Sequence, residues 1–123
     1  MCIRDRPISD IFPDAGITFW DVAHETNGGL IADGYTRATG KMSMVIAQNG
    51  PGITGLVTPI KTAYWNHTPL LLVTPQAANK TMGHGGFQEV EQMNLFKDMV
   101  CYCLLYTSPS PRDRTRSRMP SSA

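Results

Sequence analysis

The stretch Ala23-His24-Glu25-Thr26-Asn27-Gly28-Gly29-Leu30-Ile31-Ala32-Asp33-Gly34-Tyr35 decides how this chain is read. It follows a short apolar run, Ile17-Thr18-Phe19-Trp20, which is rich in β-formers and predicts a strand. A helix is predicted over 25–38, stopped by Gly40. The strand therefore turns into a helix with one carboxylate, Glu25, in its first turn. Two explanations are open for Glu25. The unpaired N–H groups of a helix start favour a negative charge for purely local reasons. Alternatively, it belongs to a site. The helix is small-sided, with Gly28, Gly29, Ala32 and Gly34, and interior glycine costs about 1 kcal/mol relative to alanine. That pattern fits close approach of a ligand or backbone and fits tight helix–helix packing equally well. Leu30, Ala32, Tyr35 and Ala38 are the candidate core face.

A second strand-to-helix corner follows one unit later. Met42 to Ala47 predicts a strand, and Gln48-Asn49-Gly50-Pro51-Gly52 a glycine turn. A lone Gly-x-Gly is weak evidence for a ligand. Two such corners, however, put their special residues at one edge of a parallel sheet, where α/β sites lie. Beyond the turn a helix is predicted over 53–66, with a kink or a broken ladder at Pro59. Leu70 to Thr74 is a continuous apolar run, the pattern of a central strand covered on both faces. A loop rich in glycine (Gly83, Gly85, Gly86) leads to a predicted helix over 87–96 and a last strand over 100–105. Alternating strands and helices imply an α/β fold with right-handed crossovers.

Composition bounds the rest. The 123 residues suffice for one modest domain. No run approaches a membrane span, and no apolar signal region opens the sequence, which points to the cytoplasm and to no membrane partner. The net charge of +1 is uneven. Arg4 and Arg6 against Asp5 give residues 1–6 a charge of +1, and Arg112, Arg114, Arg116 and Arg118 against Asp113 give 103–123 a charge of +3, leaving −3 on the body. A basic tail can contact nucleic acid. Arginines interleaved with Ser, Pro and Thr fit a disordered tail better, so no nucleic-acid partner is expected. Cys2, Cys101 and Cys103 supply neither a disulfide framework nor a structural zinc site.

Three blocks carry a resemblance: His24-Glu25, then Ala32-Asp33-Gly34-Tyr35-Thr36-Arg37-Ala38-Thr39-Gly40-Lys41, then Asn49-Gly50-Pro51-Gly52. With their spacing, they resemble the pyrimidine-binding N-terminal domain of thiamine-diphosphate-dependent enzymes. Residues 62–81 and 85–93 carry a narrower likeness, to an acyl-transferring branch of that family. The resemblance implies an α/β fold, an incomplete parallel sheet flanked by helices: the thiamine-diphosphate-binding pyrimidine-domain fold with its first strand missing. It implies a partial domain over 7–102. Residues 1–6 and 103–123 are similar to translated sequencing adapter and are expected to be non-native or disordered.

By this resemblance Glu25 matches the catalytic glutamate that hydrogen-bonds the N1′ nitrogen of the cofactor's aminopyrimidine, where a shared proton favours the imino tautomer. Asn49, Gly50, Pro51 and Gly52 match the cofactor-binding turn, which lies along the pyrimidine. Gln88 matches a position near the substrate channel. His24 is expected to support Glu25, and His67 and His84 to be loop residues. The implied cofactors are thiamine diphosphate and Mg²⁺, the latter with its ligands in a diphosphate-binding domain that is absent here. A small-molecule substrate and a homo-oligomer, at least a dimer, are implied, since the family's active site forms between subunits. Gly55 stands where the family usually has Asn, and Pro59 interrupts the helix that follows. Another carboligase of the family, of acetolactate-synthase type, is the alternative. A non-catalytic α/β binding module with a basic tail is the alternative of another class.

Overall fold

The computed structural model describes residues 11–77 and 81–105. Four helices and two strands follow in order: α1 (Glu25–Thr39), β1 (Ser43–Ile46), α2 (Pro51–Gly55), α3 (Val57–Trp65), β2 (Leu70–Val73) and α4 (Gln92–Phe96). The end segments 1–6 and 106–123 lie outside the described residues.

Local chemistry sets the ends of α1. His24 is its N-cap in extended conformation, and its Nδ1 accepts the Thr26 N–H at 3.2 Å. Gly40 closes the helix at φ 70°, and its N–H donates to the Thr36 carbonyl at 2.8 Å, the left-handed stop that glycine adopts most readily. The buried face is Gly29, Ala32, Asp33 and Thr36, not the larger residues expected from spacing. Leu30 and Tyr35 point outward, and Ala38 is exposed. The narrow face wins because α3 lies close against it: a Cβ on Gly29 would meet the Pro59 ring and Leu56. Tight helix–helix packing therefore accounts for Gly29.

β1 and β2 pair in parallel, with Met44 opposite Leu71 and Val45 opposite Leu72. The core is Ala32, Val45, Ala47, Ile53, Leu56, Ile60 and Phe96. Ile53 and Leu56 are fully buried, which stabilises the fold by about 1.5–3 kcal/mol for each side chain. Leu70 and Leu72 pack against this core. Leu71 and its register partner Met44 remain exposed on the other face. The expectation that β2 is covered on both faces is thus corrected: among the described residues one face is packed.

Four further expectations change. The helix expected over 53–66 is two helices, joined at Leu56, whose N–H reaches back only to the Ile53 carbonyl (3.1 Å). Pro59 has no N–H for the Gly55 carbonyl, so the ladder cannot run through. Residues 17–20 form no strand, because no described strand pairs with them; Trp20 is 80% exposed and Phe19 stacks on Phe12, with ring centroids 5.8 Å apart. The helix expected from 87 begins only at Gln92, since Gln88 sits at φ 58°, outside helical space. Residues 100–105 likewise carry no strand.

Candidate functional site

Glu25 is the first residue of α1 and is half-buried. Its carboxylate faces α2 across two glycines, one near each end of that short helix. A Cβ on Gly52 would lie 3.3 Å from Glu25 Oε1, and one on Gly55 would lie 3.7 Å from Oε2. Among the described residues no donor hydrogen-bonds or ion-pairs with this carboxylate. The missing side chains of Gly52 and Gly55 thus let the Glu25 carboxylate lie against α2, with its acceptors left unspent.

Neighbouring residues fix the helix start. Thr26 Oγ1 donates to the Gly55 carbonyl at 2.6 Å, the carbonyl that Pro59 leaves without its helical partner. This bond ties the first turn of α1 to the α2–α3 junction. Thr26 was not singled out from sequence. The signal was there, since a proline inside a helix frees the carbonyl four residues earlier.

β1 delivers the glycine turn. After Ala47 the chain passes through Gln48 and Asn49 to Gly50, at φ 73° and ψ −121°, which caps α2. Pro51 takes the first helical position, where a missing N–H costs no helical bond. Gly50 is required here twice over, by its φ and by space. A Cβ on it would lie 2.7 Å from Gln88 Cβ and 2.8 Å from the Gln88 carbonyl oxygen.

Gln88 is thus brought onto the turn. Asn49 Nδ2 donates to its carbonyl at 3.1 Å, and Gln48 Nε2 donates to its Oε1. Gln48 also lies against Gly52, 3.4 Å from where a Cβ would stand. The structure therefore gathers Glu25, Asn49, Gly50, Pro51, Gly52 and Gln88 into one cluster, with Gln48 as the bridge. Gln48 was missed from sequence, although a polar side chain just past a parallel strand occupies the edge where α/β sites form. His67 and His84 stay outside the cluster: His67 (φ 53°) follows α3, and the His84 N–H donates to the Thr81 carbonyl.

A second carboxylate, Glu89, lies in the glycine-rich loop before α4. The N–H groups of Gly83 and Gly86 hold its pKa below the usual carboxylate value. No group of three or more His, Cys, Asp or Glu among the described residues could hold a metal ion. No described helix is long and apolar enough to cross a membrane.

Residues 2–95 match the N-terminal TPP binding domain of thiamine pyrophosphate enzymes. The chain belongs to that family. Sulfoacetaldehyde acetyltransferases and acetolactate synthases are among the proteins it is similar to. The sulfoacetaldehyde acetyltransferase of Roseovarius nubinhibens is 84% identical over 96 residues, 78% of this chain and 16% of that protein. The sulfoacetaldehyde acetyltransferase of Castellaniella defragrans is 46% identical over 101 residues, 82% of this chain and 17% of its own. An acetolactate synthase of Arthrospira platensis is 38% identical over 93 residues, 76% and 16% of the two chains. The chain thus spans about a sixth of the length of these relatives.

Proposed function

We propose that this chain is the pyrimidine-side part of a thiamine-diphosphate-dependent acetyltransferase that converts sulfoacetaldehyde and inorganic phosphate to acetyl phosphate and sulfite. The observation that carries the proposal is the 84% identity to the Roseovarius nubinhibens enzyme over 96 residues, and the family match over residues 2–95 includes Glu25. The residues fit a flat aromatic ring: a cradle that side chains on Gly52 or Gly55 would narrow, with an unpartnered carboxylate at its wall.

Bound thiamine diphosphate supplies a nucleophilic carbon and an electron sink. In this proposal Glu25 hydrogen-bonds the pyrimidine N1′ and holds a proton at that atom. Gly50, Pro51 and Gly52 lie along the ring, and Asn49 sets the turn. Gln88 meets the substrate. Mg²⁺ and the diphosphate are held by residues outside this chain, in a second domain contributed by another subunit of a homo-oligomer. Residues 7–102 alone are then inactive. A cytoplasmic enzyme that breaks down sulfonates follows from the same proposal.

The overall change balances without an external oxidant. The C–S bond breaks and an acyl–oxygen bond to phosphate forms. The aldehyde carbon rises to the oxidation level of an acid while the sulfur-bearing methylene becomes a methyl group. Sulfite leaves with the hydrogen of hydrogen phosphate.

A carboligase of acetolactate-synthase type is the second reading, favoured by the 38% identity to the Arthrospira platensis protein. The full-length protein, saturated with thiamine diphosphate and Mg²⁺, separates the two. Sulfite release from sulfoacetaldehyde that depends on phosphate supports the first; acetolactate from pyruvate without sulfite release replaces it with the second.

A further inference from the structure

Gln88 is held from two sides. Gln48 and Asn49 grip it from the end of β1. On the other side the loop 83–86 folds round a single carboxylate. Gly83 N–H donates to Glu89 Oε1, Gly86 N–H donates to Oε2 at 2.9 Å, and Glu89 N–H donates to the Gly86 carbonyl at 3.1 Å. Gly83 and Gly85 take φ 81° and 68°, which lets the backbone turn its N–H groups inward.

The two bonds between Glu89 and Gly86 close over Gln88. This residue sits at φ 58°, a conformation that costs a residue with a side chain about 1–2 kcal/mol and persists only where its surroundings impose it. The same conformation turns the Gln88 carbonyl to Asn49 and its side chain to Gln48. Among the described residues no hydrogen bond links Glu89 to Glu25 or to residues 48–52.

We infer that Glu89 is a positioning residue for this site: its carboxylate clamps the 83–86 loop and so fixes Gln88 on Gly50. The inference rests on the proposed role of Gln88 at the substrate, and its test is built to fail separately.

The experiment uses the full-length protein with Glu89→Ala, Glu89→Gln, Gln88→Ala and the double variant Gln88→Ala/Glu89→Ala. Hydrogen–deuterium exchange reads the clamp, and kcat and KM for sulfoacetaldehyde read the site. Glu89→Ala is expected to speed exchange of the amides at 83–88 by about tenfold or more while α1 and α3 keep their protection. It is expected to lower kcat/KM by about tenfold, the size of loss that follows when a placed group is loosened. Glu89→Gln, which keeps one carbonyl acceptor, should recover part of both. In the Gln88→Ala background the further loss from Glu89→Ala should fall below about twofold.

Equal losses in both backgrounds would show that Glu89 does not act through Gln88 and would overturn the inference. So would unchanged exchange at 83–88, or a Gln88→Ala variant with full activity. If the protein releases no sulfite but Glu89→Ala still frees 83–88, the functional proposal falls and the clamp stands.

Discussion

The Pro59 ring occupies the space that a side chain on Gly29 would need. A Cβ there would stand 2.6 Å from Pro59 Cβ, closer still to its Cγ, and 3.0 Å from Leu56 Cδ2. One residue narrows α1 and the other interrupts the ladder between α2 and α3, and the two departures from helix rules meet at one contact. Gly29→Ala should therefore destabilise the protein, although alanine is the better helix former by about 1 kcal/mol. The rigid ring cannot turn aside, so overpacking of about 1–3 kcal/mol prevails. Chemical denaturation of the full-length variant measures it; an unchanged or raised midpoint would refute the packing account.

The Gly55 carbonyl offers a second check. Its helical donor is lost at Pro59, and Thr26 Oγ1 replaces it at 2.6 Å. Thr26→Val removes that donor and leaves a part-buried carbonyl unsatisfied, at a cost of about 1–3 kcal/mol. Pro59→Ala restores a main-chain N–H, so it should offset some of the Thr26→Val loss when the two are combined. A double-mutant cycle on the denaturation midpoint reads the coupling. Strict additivity would mean that the two donors do not compete for one carbonyl.

These contacts show which parts of the structure were legible in the sequence. Helix α1, both strands and the Gly50 turn follow from caps, apolar runs and glycine, which act over a few residues. The resemblance put Glu25 and the Asn49–Gly52 turn in one expected site, because motif blocks carry spacing that propensity alone lacks, and the structure sets Glu25 against Gly52 and Gly50 against Gln88. The failures have another cause. Residues 17–20 have the composition of a strand, but a strand needs a partner in space. Gln88 lies in a run with helical periodicity, Val90, Met93 and Phe96, yet contacts from 40 residues away along the chain hold its backbone in the left-handed region. Long-range hydrogen bonds of that kind leave no local trace.

Acid should release the Glu89 loop. The Gly83 and Gly86 N–H groups lower the carboxylate pKa from its usual 4.5, and the nearby positive charge of His84 adds in the same direction. A lowered folded-state pKa means that the clamp contributes fully above that unfolded value and is lost as pH falls through the folded one. Amide protection at 83–86 should accordingly persist at pH 4.5 and disappear only in stronger acid. Glu89→Gln should remove this acid transition. Protection lost already near pH 5, or an unchanged transition in the variant, would assign the event to another group.

Glu25→Gln tests the centre of the site. The two side chains have nearly the same size, and among the described residues the carboxylate makes no hydrogen bond that the amide would lose. The stability change should be confined to the charge at the helix start, about 0.3–1 kcal/mol. Activity should respond very differently. In the proposed role Glu25 shares a proton with N1′, which an amide cannot do, and losing a placed proton-transfer group lowers rates by about 10²–10⁴-fold. The measurements are phosphate-dependent sulfite release and thermal melting of the same full-length variant. A large loss of rate with a small shift in melting places Glu25 in the chemistry. Equal, modest effects on both would return it to the local role that any helix start gives an acidic residue.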